Sequence, residues 1–226
     1  MKKSTATILL GITGLLTTLT AANLKLSSHY KQGKIGSYYT AQMLPVFHNI
    51  KEIGLDEGDF DYYKTITIRQ QKDSSAILYE YYSSPNLIFK VENDTLFNIP
   101  DSKEKKRKNE KYLTILCPEL KSLSSLRSSF TLNKMKTDSL LLIADRQSQI
   151  SFTNGQINTL SVMADSLGNV SITSSDTIPH ATIQLKGFSS FSAQDVIILN
   201  RKLQLSPGSS LSLSGKSLEI FGIKRN

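Results

Sequence analysis

The chain has 226 residues, 39% of them hydrophobic and 20% charged, with a formal net charge of +8. It is too apolar to be disordered throughout and long enough for one sizeable core or two small ones. Nine Tyr, nine Phe, no Trp and many Ser and Thr residues favour strands, so the expected class is all-β.

Lys2 and Lys3 precede an uncharged run, residues 4–24, centred on Ile8, Leu9, Leu10, Ile12, Leu15, Leu16 and Leu19 and closed by Lys25. About twenty apolar residues cross a bilayer as a helix, and a positive start keeps the N-terminus cytoplasmic and sends the remainder outward. Residues 1–25 are therefore expected to be a transmembrane or signal helix, with the membrane as partner through residues 4–24. The C-terminal domain is expected in the cell envelope, periplasmic or on the outer surface, or secreted if the segment is cleaved. Thr20-Ala21-Ala22 offers small residues for signal peptidase. The run is longer than the usual signal-peptide core of about 7–15 residues, which favours an uncleaved anchor. No Cys stands near its end, which excludes a lipoprotein-type anchor.

Residues 26–44 show little hydrophobic periodicity, carry Ser27, Ser28, Gly33, Gly36 and Ser37, and read as a tether. The folded domain is expected over residues 45–226, with less regular coils or strands over 45–116 and regular coils over 117–223. Alternation and β-branched or aromatic content predict strands over 46–51, 64–69, 76–81, 87–91 and 95–97. Gly54 to Asp59, Lys72-Asp73-Ser74, Ser83-Ser84-Pro85-Asn86 and Glu92-Asn93-Asp94 supply turn chemistry between them.

The positive charge is unevenly spread: +5 over residues 1–36, −4 over 37–100, +3 over 101–111 and +4 over 112–226. Much of the excess is topogenic Lys beside the membrane segment and the run from Lys103 to Lys111. That run is expected to be a solvated hairpin tip. No RNA or DNA motif accompanies it, so no nucleic-acid partner is expected.

The C-terminal half repeats. Arg127 to Leu132, Gln147 to Phe152, Leu167 to Ile172, Phe188 to Ala193 and Gly208 to Leu213 align, and their anchors Phe130, Ile150, Val170, Phe191 and Leu211 are spaced 20, 20, 21 and 20 residues. Leu142, Val162, Ile183 and Leu203 stand eight residues before four of those anchors, and Leu132, Phe152, Ile172, Ala193 and Leu213 two residues after all five. Each unit thus offers inward residues from at least two short strands. A twenty-residue unit cannot bury its apolar side alone, whereas stacked parallel coils bury one continuous core. The expected fold is a parallel β-solenoid, or β-helix, of about 20-residue coils. A β-sandwich, whose strands also recur every 8–12 residues or so, would not require one anchor register through five units.

Three stretches carry a family resemblance: Pro45-Val46-Phe47-His48-Asn49-Ile50-Lys51 followed by Phe60-Asp61, then Leu113-Thr114-Ile115-Leu116-Cys117-Pro118-Glu119-Leu120-Lys121-Ser122-Leu123, and coils of the Gly208-Ser209-Ser210-Leu211-Ser212-Leu213 type. With them the chain resembles, over residues 45–223, the auto-transporter adhesin-head (GIN domain) family of Bacteroidota. The resemblance implies a right-handed parallel β-solenoid on a secreted or envelope-anchored protein, with no established activity.

The residues offer little chemistry. Asp145 and Asp165 occupy the same place before Ile150 and Val170, so stacking sets them roughly 4.8 Å apart, close to the carboxylate separation of a retaining glycosidase. Lys186 and Ser206 follow in the next coils, and no third ligand joins the pair. They are a weak catalytic candidate; corner residues of a stack are the plainer reading. Asp56, Glu57, Asp59 and Asp61 match no calcium-loop spacing and read as a polar turn. His29, His48 and His180 are too scattered for a zinc site. Cys117, the one cysteine, precludes an intramolecular disulfide and reads as a small buried hydrophobe. Tyr62, Tyr63, Tyr79, Tyr81 and Tyr82 more plausibly cover a small sheet than form an aromatic binding face. No catalytic, cofactor or metal signature stands out, and the expectation is a non-enzymatic envelope protein whose exposed Ser/Thr faces meet a protein or glycan ligand. The alternative is a carbohydrate-active β-helix enzyme using Asp145 and Asp165.

Overall fold

The structure, a computed structural model, describes residues 39–52, 65–80, 87–100 and 113–221, together with Thr20. The chain falls into two compact units, Met1–Ala41 and Gln42–Asn226. The expected membrane segment, residues 4–24, lies outside the described residues apart from Thr20. Among the described residues no helix is long and apolar enough to cross a membrane.

Strand β1 (Tyr39–Leu44) takes up the last six residues of the expected tether. The strands that follow are β2 (Asn49–Glu52), β3 (Thr65–Gln70), β4 (Ser75–Glu80), β5 (Leu87–Glu92), β6 (Thr95–Pro100), β7 (Leu113–Cys117), β8 (Ser122–Ser125) and β9 (Ser129–Asn133). Then come β10 (Lys136–Ala144), β11 (Gln149–Thr153), β12 (Gln156–Ala164), β13 (Asn169–Thr173), β14 (Thr177–Leu185), β15 (Ser190–Gln194), β16 (Ile197–Leu205) and β17 (Ser210–Ser214). A 3-10 helix, Gly215–Phe221, ends the described chain.

From β8 onward the chain is a solenoid of about five coils, about twenty residues apart. Each coil gives one strand to each of two sheets. One sheet runs β16-β14-β12-β10-β8-β2-β6-β5, and the other carries β4-β7-β3-β9-β11-β13-β15-β17. The sequence anchors meet in the predicted register: Phe130, Ile150, Val170, Phe191 and Leu211 are successive partners, as are Leu142, Val162, Ile183 and Leu203 in the opposite sheet. The register holds because a one-residue slip would turn every buried side chain outward. The 21-residue step is taken up between β13 and β14, where Ser174-Ser175-Asp176 replaces the two-residue turn Asn154-Gly155 of the coil before.

The buried interior is one cluster running from Phe47 to Ile198 and filled by Ile, Leu, Val and Phe. Close stacking leaves no room at Gly155: a Cβ there would lie 2.2 Å from the Met135 carbonyl oxygen and 2.5 Å from the Phe152 ring.

The N-terminal strands stack out of sequence order. β2 lies between β6 and β8 and is parallel to both; β3 lies between β7 and β9, again parallel to both. The first coil is therefore enclosed by two later ones. Beyond them, β4 and β5 pair antiparallel with β7 and β6 and turn the stack's N-terminal side away from the coil pattern. The basic run Lys103 to Lys111 lies outside the described residues. It lies between β6 and β7, strands of different sheets, and the hairpin tip expected there falls on these residues.

Candidate functional site

Alternation along β9, β11, β13, β15 and β17 sends Phe, Ile, Val, Leu and Ala inward and leaves three outward positions per strand. In-register pairing stacks these positions into columns. The middle one runs Thr114, Thr67, Thr131, Ser151, Ser171, Ser192, Ser212. Beside it stand Ser129, Gln149, Asn169, Ser190 and Ser210 on one side, and Asn133, Thr153, Thr173, Gln194 and Ser214 on the other. Adjacent strands are about 4.8 Å apart, so hydroxyl and amide groups recur at that interval along the stack. From β9 to β17 every outward residue is polar and uncharged. Within the face, the Ser171 hydroxyl donates to Ser151 Oγ at 2.9 Å and Thr153 Oγ1 to the Leu132 carbonyl at 3.3 Å. Chemically this is a sheet of neutral donors and acceptors suited to an uncharged polar ligand.

Asp145 and Asp165 fall at equivalent corners, each directly after a member of the Ala144–Ala164 pair. Asp145 Oδ1 accepts the Arg146 N–H and Asp165 Oδ1 the Ser166 N–H, both at 2.7 Å. Their carbonyl oxygens accept the N–H groups of Ser148 and Gly168, closing the same turns. Each carboxylate thus binds its own corner. Asp56, Glu57, Asp59, Asp61, His29, Tyr62, Tyr63, Tyr81 and Tyr82 lie outside the described residues. Tyr79 is half-buried and packs against the core. His180 is exposed on β14. Among the described residues no group of three or more His, Cys, Asp or Glu side chains is placed to hold a metal ion. Cys117 is fully buried in β7, and burial pushes its thiol up to about 12 from an ordinary 9.0.

Two polar clusters were not foreseen in the sequence. His48 Nδ1 lies 2.7 Å from Asp94 Oδ1, and Asn49 Nδ2 donates to the Asp94 carbonyl and carboxylate at 3.2 and 3.3 Å, tying β2 to the β5–β6 turn. Glu52, only 8% exposed, receives the N–H groups of Leu126, Arg127 and Ser128 on Oε2 at 2.9, 3.3 and 3.3 Å. The Ser128 hydroxyl reaches its other oxygen, and the Ser125 hydroxyl lies 3.0 Å from Oε2. The available signal was position: Glu52 follows Ile50 in the inward phase of β2, where an acidic residue needs donors to be tolerated.

No family model matches the chain, and no curated protein matches it either. Among solved structures it is similar to a putative adhesin from Bacteroides fragilis NCTC 9343, at 16% identity over 78% of this chain and 95% of that one, with a TM-score of 0.47. A putative adhesin from Parabacteroides merdae ATCC 43184 is similar at 12% identity over 77% and 95%, TM-score 0.36. A putative lipid binding protein from Parabacteroides distasonis ATCC 8503 is similar at 12% identity over 77% and 96%, TM-score 0.37.

Proposed function

We propose that this chain is a non-enzymatic binding protein of the adhesin-head (GIN domain) type. Its residues 4–24 anchor it in the membrane of the cell envelope, and its exported solenoid docks an uncharged glycan on the β9-to-β17 face. The observation that carries this reading is the unbroken set of neutral polar columns on that face. A neutral glycan exchanges hydroxyl hydrogen bonds with such a face without stripping water from a charge. Protein interfaces concentrate their binding energy in aromatic and Arg anchors, and the columns from β9 to β17 hold none. The reading takes the coils as right-handed, the hand of nearly all parallel crossovers. It assigns no catalysis to Asp145 and Asp165, whose carboxylates are engaged by turn N–H groups.

A glycan array probed with the full chain tests this, comparing wild type with Ser151→Arg/Ser171→Arg on the face and Thr159→Arg on the opposite sheet. The expected result is glycan binding that falls at least tenfold, by about 1.4 kcal/mol or more, in the face variant alone. Equal binding by all three sinks the assignment of the face, and capture of envelope proteins without any glycan points to a protein ligand. For the anchor, mass spectrometry should find the mature chain still carrying residues 4–24. A mature N-terminus near Asn23 would refute the membrane tether.

A further inference from the structure

The corners leading from one sheet to the other are four-residue turns, closed by N–H donation from Ser148 to the Asp145 carbonyl, Gly168 to Asp165, Ser189 to Lys186 and Ser209 to Ser206. In the first two, both central residues are left-handed: Arg146 and Gln147, then Ser166 and Leu167. The third differs, since Gly187 takes φ +58 and Phe188 stays out of that region. A bulky aromatic is costly there, and a glycine ahead of it carries the turn instead.

The Phe188 ring is 75% exposed, the most exposed large apolar side chain among the described residues. It leans toward the following corner, where Pro207 leads into Gly208 at φ +86 and a Cβ would lie 3.1 Å from both Cδ1 and Cε1 of the ring. Any side chain at Gly208 would crowd the ring, and the glycine leaves it room. Leu167, the equivalent residue one coil earlier, is 50% exposed, so two apolar side chains follow one another along this corner.

Phe188 lies just outside the neutral columns of the β9-to-β17 face. It stands two residues before Ser190, which pairs with Asn169 on one side and Ser210 on the other in an outward column of that face. The Ser190 N–H donates to the Gly168 carbonyl at 2.9 Å and the Ser210 N–H to the Ser189 carbonyl at 3.0 Å, so the corner is held in the strand register. An apolar ring thus borders a row of hydroxyl and amide groups that carries no charge. A pyranose asks for both surfaces. The electron-rich ring face attracts the C–H groups on one side of the sugar, and neutral donors and acceptors satisfy the hydroxyls at its edge.

We propose that Phe188 is a sugar-stacking platform at the rim of the neutral face: one pyranose unit lies on its ring, and the hydroxyls of that unit and its neighbours exchange hydrogen bonds with Asn169, Ser190 and Ser210. This rests on the glycan reading of the face and adds to it where the glycan is gripped. It also adds a selection rule, since only a sugar unit with one side free of axial hydroxyls lies flat on a ring.

The chain has no Trp, so Phe188→Trp installs a single indole at the site. The probes are neutral oligosaccharides of glucose, N-acetylglucosamine, galactose and mannose, printed on an array and titrated against the full chain. Phe188→Trp should keep binding, and its emission should shift and saturate over the concentrations at which the array binds. Phe188→Leu and Phe188→Ser should each lose at least about tenfold in affinity, with unfolding midpoints unchanged because the ring is exposed. A leucine variant that binds as wild type overturns the ring platform, as does an indole emission indifferent to bound sugar. Binding lost in Ser151→Arg/Ser171→Arg but kept in Phe188→Ser overturns the platform and leaves the face intact, whereas a wild type that binds none of the probes removes the face and the platform together. A wild-type dimer that dissociates on Phe188→Ser assigns the ring to a contact between copies and also overturns the proposal.

Discussion

Glu52 accepts the backbone N–H of Ser128 at 3.3 Å although 76 residues separate them. The contact joins the first coil to the corner of a coil formed much later in the chain, and the same carboxylate serves Leu126 and Arg127. Glu52→Ala strands these donors in a corner where Ser125 is 0% exposed and Ser128 5%. We expect a loss of about 3 kcal/mol, since each buried donor left unpaired costs about 1–3 kcal/mol. Urea unfolding at neutral pH measures it, and a loss within error would mean that water takes over the carboxylate's role.

Val170 is fully buried between Ile150 and Phe191. Val170→Asp puts a charge there with no partner in the column, and about 3–5 kcal/mol of destabilisation is expected. Retained cooperative unfolding at an unchanged midpoint refutes this. Val170→Ala, which only leaves a small cavity, should cost less.

Gly155→Ala should destabilise by about 3 kcal/mol, the upper part of the range for forcing atoms into a packed interior. The added methyl meets a backbone carbonyl, which cannot swing aside as a flexible side chain would. Denaturation midpoints of the alanine variant and wild type give the comparison.

The Cys117 thiol sets a pH dependence at the alkaline end. Its folded value, raised to about 12 by burial, exceeds the ordinary 9.0 of the unfolded chain, so the folded state holds the proton longer. Its contribution is fully present below about pH 9 and is lost as pH rises through about 12. The readout is the difference in alkaline slope between wild type and Cys117→Ala. At pH 8 the native thiol should also resist thiol reagents until the chain unfolds.

The regular coils were legible in the sequence because each repeats the demand of its neighbour. Phe130, Ile150, Val170, Phe191 and Leu211 had only one way to share a column, and they share it. The polar face followed from the same periodicity, since residues between inward anchors must point out. The order of the N-terminal strands was not legible. β2, β3, β6 and β7 each display ordinary alternation, and nothing in alternation names the partner. Glu52 was overlooked for a related reason: its donors come from the turn at Leu126 to Ser128, far along the chain. Asp145 and Asp165 showed the opposite limit. They directly follow the paired residues Ala144 and Ala164, but a shared place in the repeat says only that they are neighbours, and each carboxylate accepts a turn N–H beside it.

The enclosure of β2 and β3 between later strands constrains the order of assembly. A chain emerging N-terminus first cannot grow this solenoid by adding coils in sequence, because one rim of the first coil waits for β6 and β7, ending at Cys117, and the other for β8 and β9, ending at Asn133. The segment from β8 onward can lengthen one coil at a time, each step closing a loop of only about twenty residues. Folding should therefore be slowest where the chain begins and quickest where it ends, leaving the oldest part of the polypeptide the last to become protected from proteases.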